Sequence, residues 1–153
     1  MNSLWKTAET ASCKSDLALR VYTSKLLGQN HTLVLHGGGP EGVETPFISN
    51  VFDALTKTGK SVFAFNFPYC ERGDEQSSGD ELTEETAALD TVISFLRAEG
   101  YSKIAIVAKS LGAITTSYWL SQTEATDVEV NVLGYVIGSV KTAALQGVLK
   151  LVI

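Results

Sequence analysis

The sequence predicts an α/β protein, specifically a three-layer α/β/α sandwich with a mainly parallel, doubly wound sheet. Short apolar runs rich in β-branched and aromatic residues, such as residues 31–36 and 61–67, are typical of strands buried on both faces. Segments with helical spacing of apolar residues lie between these runs. Strands that alternate with helices at such short intervals imply βαβ crossovers, and therefore a parallel sheet with helices on both sides.

Six segments carry strand patterns. In residues 16–24, Leu17, Leu19 and Val21 alternate with more polar positions, which predicts an edge or near-edge strand with one wetter face. The other predicted strands are residues 31–36, 61–67, 103–109, 132–139 and 148–153.

Three segments carry helix patterns. Residues 45–59 begin with Thr45 before Pro46 and end at Gly59, which are typical start and stop signals. The other two predicted helices are residues 82–100 and 111–122. The apolar faces predicted for the three helices are, in order, Phe47, Val51, Ala54 and Leu55; Leu89, Val92, Ile93 and Leu96; and Leu111, Ile114, Tyr118 and Trp119.

Length and composition predict a single domain over residues 1–153, in which residues 1–15 could form a poorly ordered N-terminal segment. The net charge of −5, with 12 scattered Lys and Arg residues, offers no basic surface for a nucleic acid partner. No apolar run has the length of a signal peptide core or a membrane span. Cys13 and Cys70 are not spaced as metal ligands and read as reduced thiols, so we expect a cytoplasmic protein without metal or cofactor.

The stretch AKSLG, residues 108–112, places Ser110 between a predicted strand and a predicted helix. A nucleophile elbow, usually G-x-S-x-G, needs small residues two positions before and after the serine, and Ala108 and Gly112 meet that requirement. Serine is also a common helix cap, so both interpretations remain open at this point. A phosphate-binding P-loop is excluded because Ile104 and Ala108 occupy its two glycine positions.

A second motif, HGGGP at residues 36–40, directly follows a buried strand. Consecutive glycines let the backbone turn and expose N–H groups, as an oxyanion hole requires. Alone this motif is weak, but together with AKSLG in an alternating α/β pattern it favours a hydrolase-like fold.

The order of these motifs, with LVLHGGG, AFNFPYCERG and IAIVAKSLGAI along the chain, resembles the small bacterial α/β-hydrolases of the dienelactone-hydrolase-like group over residues 17–140. The resemblance implies an α/β-hydrolase fold in which Ser110 is the nucleophile. It also implies an oxyanion hole formed by the N–H groups of Leu111 and one of the loop glycines, Gly37 or Gly38. A pocket rim would be formed by His36, Gly39, Pro68, Tyr69 and Cys70. Cys70 is not expected to be a second nucleophile because no histidine is placed to activate it.

The acid and base of this family follow the serine in the chain, but no histidine follows Ser110. The acidic residues Glu124, Asp127 and Glu129 fall in a polar connection at the wrong end of the sheet. The chain therefore reads as an α/β-hydrolase that stops before its acid and base loops, and we expect it to be inactive as it stands. Its ending in an apolar strand also predicts self-association through that sheet edge.

Two functions remain open. The first is a serine hydrolase that acts, in complete form, on a small ester, thioester or lactone. The alternative is a non-catalytic binding or interaction module of the same fold, which the absence of a histidine favours.

Overall fold

The computed structural model describes residues 7–11, 19–24, 31–75, 77, 81–101, 103–124 and 128–134. The strands in this part of the chain are β1 (Thr7–Ala11), β2 (Leu19–Thr23), β3 (His31–Leu35), β4 (Ser61–Phe65), β5 (Ile104–Lys109) and β6 (Val128–Gly134). The helices are α1 (Pro46–Lys57), α2 (Pro68–Arg72), α3 (Thr83–Ala98) and α4 (Leu111–Gln122), with a 3-10 turn at Gly42–Glu44. None of these helices is long and apolar enough to cross a membrane.

The strands form one sheet in the order β1-β2-β4-β3-β5-β6. β4, β3, β5 and β6 run parallel, and β2 pairs antiparallel with both β1 and β4. This arrangement confirms a mainly parallel sheet with β2 next to its edge. The strand β1 was not predicted from the sequence.

Helices cover both faces of the sheet. Alternate strand residues such as Leu33 and Phe63 pack with α3 and α4 in one core cluster. Their neighbours Val34 and Val62 pack with α1 in a second cluster on the opposite face. Because successive side chains of a strand point to opposite faces, these clusters show the predicted three-layer sandwich.

The predicted inner face of α3 is confirmed, but that of α1 is confirmed only for Val51 and Leu55, which are half-buried and pack against the core. The buried α1 side chains are Ile48 and Phe52, whereas Phe47 is 48% exposed. The Thr45 hydroxyl accepts a hydrogen bond from the N–H of Ile48, and the helix begins at Pro46. Both sets of residues have helical spacing, so the pattern alone could not select the face that contacts the sheet.

The predicted inner face of α4 is confirmed at Trp119 and in part at Leu111, which packs against the core, but not at Ile114 and Tyr118. Leu111, Ile114 and Tyr118 are only half-buried, and the buried positions are mostly small or hydroxylated: Gly112, Ala113, Thr115, Thr116, Ser117 and Trp119. The hydroxyl of Thr116 donates to the carbonyl of Gly112 at 2.7 Å, so a polar side chain can be buried there with a partner. Small side chains let α4 lie close to the sheet. The helical spacing of apolar residues does not indicate how close a helix lies to the sheet, so it could not predict this face.

The last described strand begins at Val128, earlier than the predicted range of 132–139. Val128 is paired with Ile104 of β5, so Glu129 lies within the strand rather than in the connection before it. Backbone hydrogen bonds alone can extend an edge strand into a polar stretch, because such a strand needs no continuous apolar run. The predicted strand at 148–153, and with it the predicted sheet edge for self-association, lies outside the described residues.

The two phenylalanines of α1 provide a matched test of the observed face. We expect Phe52→Ala to lower the free energy of unfolding by about 3–5 kcal/mol, because it leaves a cavity between α1 and the sheet. Phe47→Ala should cost about 1 kcal/mol or less because half of that side chain is already exposed. Urea unfolding followed by circular dichroism measures both, and equal losses would contradict the observed orientation of α1.

Candidate active site

Ser110 is the single residue between β5 and α4. Its backbone has φ 48° and ψ −113°, a combination outside the left-handed helical region that non-glycine residues sometimes adopt. A residue held in such a sparsely populated region stores about 1–3 kcal/mol of strain, and strained residues cluster at functional sites. The register of β5 with β6 also becomes irregular between Ala108 and Lys109. The chain therefore makes the sharp strand-to-helix turn that AKSLG predicts.

The Ser110 side chain does not cap α4. Ser110 occupies the N-cap position, but its hydroxyl makes no capping hydrogen bond to that helix. In α1, by contrast, Thr45 in the same position does cap the helix. The interpretation of Ser110 as only a cap is therefore wrong, and its hydroxyl remains available for another partner.

Gly112 explains why the turn needs a small residue two positions after the serine. Its N–H donates to the carbonyl of His36 at 3.1 Å. A Cβ atom at this position would lie 2.7 Å from both the carbonyl oxygen of His36 and the Cβ of Leu35. The first turn of α4 thus rests directly on the end of β3, where a side chain has no space.

The glycine loop that follows β3 lies directly against the turn. A Cβ built on Gly37 would be 3.5 Å from the Cβ of Ser110, and one built on Gly38 would be 3.8 Å from the Cβ of Leu111. None of the three loop glycines has a positive φ, although glycine was predicted to be needed there for turning. Side chains at Gly37 and Gly38 would instead extend toward Ser110 and Leu111, so glycine keeps the space beside Ser110 open.

Two backbone N–H groups belong to residues of this region, Leu111 directly after Ser110 and Gly38 against Leu111. The N–H of Leu111 is the first of α4 and has no acceptor within the helix. The carbonyl of Gly37 faces the interior, where it accepts hydrogen bonds from His36 Nδ1 and from the Tyr69 hydroxyl. In a trans peptide the C=O and N–H point in opposite directions, so the N–H of Gly38 points away from that interior.

His36 is a buried part of this loop. Its Nδ1 donates to the carbonyl of Gly37, and its Nε2 accepts from the N–H of Phe67 at 3.0 Å. Burial and, to a smaller extent, the charge on nearby Lys109 outweigh the hydrogen bond to Gly37 and together lower the pKa of His36 from 6.5 to about 4. The ring is therefore neutral at neutral pH, with both nitrogens already bonded.

Of the other predicted rim residues, Gly39 belongs to the glycine loop itself, and Pro68, Tyr69 and Cys70 come from the segment after β4. Pro68 and Tyr69 are buried, while Gly39 and Cys70 are half-buried. The Sγ of Cys70 lies 3.6 Å from the Gly39 carbonyl and 3.9 Å from His36 Nε2. A histidine thus does lie beside Cys70, which was not expected. Burial nevertheless raises the pKa of the thiol, and His36 Nε2 already accepts from the N–H of Phe67.

Neither of the two histidines is placed as a base for Ser110. His31 lies at the first residue of β3, the opposite end of the sheet from Ser110, where its ring packs on Tyr101 with centroids 4.8 Å apart. Glu124 follows α4 and lies at that opposite end as well. Asp127 is outside the described residues. Among the described residues, no group of three or more His, Cys, Asp or Glu side chains could hold a metal ion.

The alpha/beta hydrolase domain model matches residues 29–144 of the chain. This chain belongs to the alpha/beta hydrolase family. The matched segment contains the glycine loop, Ser110 and the four parallel strands. No curated protein sequence matches this alpha/beta hydrolase.

Solved structures share its fold. The esterase Pf2001 of Pyrococcus furiosus is 22% identical with a TM-score of 0.61, and the alignment covers 80% of this chain and 47% of that one. A dienelactone hydrolase from Anabaena variabilis is 14% identical with a TM-score of 0.69, covering 82% of this chain and 61% of that one. The Xanthomonas campestris protein XC6422, a serine hydrolase without a lid, is 20% identical with a TM-score of 0.59, covering 76% and 56%. This alpha/beta hydrolase therefore spans about half the length of the proteins it resembles.

The contact at Gly112 can be tested by adding one methyl group. We expect Gly112→Ala to lower the free energy of unfolding by about 1–3 kcal/mol, because the new Cβ would clash with backbone and Cβ atoms of β3. Gly59→Ala is the control, since it has a positive φ but no atom within 4 Å of the new Cβ, and should cost about 1 kcal/mol. Urea unfolding gives both values. A stable Gly112→Ala protein would show that α4 is not pressed against β3.

His36 should make stability depend on pH. Because its folded pKa lies below its unfolded value, the neutral ring stabilises the fold above pH 6.5, and this contribution is lost as the pH falls toward about 4. Between pH 7 and pH 5 the loss should be about 2 kcal/mol. Urea unfolding at the two pH values measures it. His36→Asn should show a smaller difference between them, and an unchanged difference would assign the effect to other groups.

Proposed function

We propose that this chain carries the nucleophile and oxyanion hole of a serine hydrolase that acts, in complete form, on a small ester, thioester or lactone. The observation that carries the proposal is the strained backbone of Ser110, whose hydroxyl is not used to cap α4. A structural serine has no need of this conformation, whereas a nucleophile must be presented on a sharp turn.

The surroundings of Ser110 support an acyl-transfer reaction. Ser110 Oγ would attack the carbonyl carbon, and the negative charge would develop on the carbonyl oxygen. We propose the N–H groups of Leu111 and Gly38 as the two donors to this oxygen, since such donors stabilise an oxyanion in a tetrahedral intermediate. Gly38 is exposed and Gly37 is buried, which favours Gly38 over Gly37 as the second donor.

The base that would accept the Ser110 proton is not provided by either histidine. His36 is neutral and has both ring nitrogens bonded, and His31 lies at the far end of β3. General-base assistance is worth about 10²–10⁴-fold in rate, so these residues alone should show little turnover. We propose that the base belongs to a part of the protein outside the described segment. The similar structures are longer, since the alignments cover only 47% and 61% of two of them.

Because neither histidine is placed to act as a base, a second candidate function is a binding module that keeps the pocket of the fold without catalysis. In that case Ser110 would contact a bound small molecule but would not react. The two functions differ in whether Ser110 forms a covalent bond when a base is available.

Added imidazole can supply the absent base and separate these two functions. We expect a fluorophosphonate probe to label Ser110 slowly, and imidazole to accelerate labelling by about tenfold or more. The labelled residue is identified by mass spectrometry of peptides. Ser110→Ala should abolish labelling, and Ser121→Ala, a serine substitution in the last turn of the same helix, should leave it unchanged.

No imidazole-dependent labelling of Ser110 in the folded protein would contradict the nucleophile assignment. Saturable binding of a small ester without covalent modification would then favour the binding module. Equal labelling of the Ser110→Ala protein would assign the reaction to another residue.

A further inference from the structure

The hydroxyl of Tyr69 contacts two carbonyl groups of the glycine loop from its buried side. Its oxygen lies 3.2 Å from the carbonyl oxygen of Gly37 and 3.3 Å from that of Gly39. The Tyr69 ring is fully buried and stacks with Phe67, with centroids 6.5 Å apart. Packing of the ring would be served equally by phenylalanine, so packing does not account for the position of the hydroxyl.

The two carbonyls have different consequences for the loop. The peptide that contains the Gly39 carbonyl ends at Pro40, which has no N–H. The peptide that contains the Gly37 carbonyl carries the N–H of Gly38 on its opposite side. Holding the Gly37 carbonyl in the interior therefore sets the direction of one N–H group, that of Gly38.

We infer that Tyr69 is a positioning residue, which orients the Gly37–Gly38 peptide so that the Gly38 N–H faces the space beside Ser110. This inference rests on the proposed function, in which that N–H stabilises the oxyanion. Tyr69 cannot touch substrate because it is buried behind the loop, and it acts only through the peptide.

The environment of Tyr69 keeps its hydroxyl protonated, so that it can always donate a hydrogen bond. Burial raises its pKa far above the usual value, so the hydroxyl keeps its proton throughout the range in which proteins are stable. His36 Nδ1 donates to the same Gly37 carbonyl. The two donors approach one oxygen from different elements, because His36 belongs to the loop itself and Tyr69 to α2 after β4. Through Tyr69, the direction of the Gly38 N–H depends on the position of α2 after β4 as well as on the loop after β3.

Tyr69→Phe removes the hydroxyl and leaves the ring. Its matched control is Tyr101→Phe, whose ring packs on His31 and Phe63 at the opposite end of the sheet. The first measurement is the ¹H–¹⁵N resonance of Gly38 in glycine-labelled protein. The second is the rate of imidazole-assisted fluorophosphonate labelling at Ser110, measured over a range of probe concentrations.

We expect Tyr69→Phe to move the Gly38 resonance and to slow the maximal labelling rate by about tenfold, with less than a twofold change in half-saturating probe concentration. This loss is smaller than the roughly 10²–10³-fold cost of deleting an oxyanion donor, because His36 still holds the Gly37 carbonyl. Tyr101→Phe should change neither quantity. A merely structural role for Tyr69 would lower the melting temperature without slowing the labelling of the folded protein.

The two measurements separate the inference from the function on which it rests. An unmoved Gly38 resonance in folded Tyr69→Phe would overturn the positioning role. A moved resonance with an unchanged labelling rate, or no labelling of the unsubstituted protein, would instead overturn the oxyanion role of Gly38 or the nucleophile. If Tyr69→Phe does not fold, 3-fluorotyrosine incorporated in the unsubstituted chain keeps the ring and makes the hydroxyl a stronger donor. The Gly38 resonance should then shift, and its constancy would count against Tyr69.

Discussion

The close approach of Gly112 to the end of β3 is the constraint on which the site depends. The first turn of α4 is bonded to the His36 carbonyl through the Gly112 N–H, with no space for a side chain between helix and strand. Because β5 lies beside β3, the chain must reverse direction within one residue to bring α4 into that contact. That residue is Ser110, and its positive φ is the consequence. The strain is local, while the packing that maintains it extends over two strands and a helix.

The same contact links the turn to the glycine loop. His36 bonds Gly112 through its carbonyl, Gly37 through Nδ1 and Phe67 through Nε2. One buried residue therefore joins the ends of β3 and β4 to the beginning of α4. The two bonds made by the ring nitrogens use the whole hydrogen-bonding capacity of a neutral imidazole. His36 therefore has no free nitrogen with which to act as a base for Ser110. In this chain the histidine next to the glycine loop holds that loop in place.

Much of the fold could be predicted because the spacing of apolar residues that distinguishes strands from helices is a local property of the sequence. The bounds of α4 and the inner face of α3 follow directly from the sequence, and the carboxyl-end loops of β3, β4 and β5 meet as a parallel sheet requires. The prediction was wrong where two faces had equal helical spacing, as for Phe47 and Phe52 in α1. It was also wrong for Ile114 and Tyr118 of α4, because apart from Trp119 the buried residues of that helix are small or hydroxylated and lie close to the sheet. The start of β6 depended on pairing with β5 rather than on apolar character.

For the site, the sequence by itself determined which residues meet: Ser110 at a strand-to-helix turn, and a glycine loop at the same edge of the sheet. Motif spacing and the rule for parallel strands are sufficient for that, since both depend on chain order. Only the tertiary structure decided what each group does. It showed that the Ser110 hydroxyl is not a cap, that His36 is neutral with both nitrogens bonded, and that Tyr69 lies behind the loop with its hydroxyl on Gly37. Hydrogen-bond partners and burial depend on residues that are distant in the chain, and no local pattern specifies them.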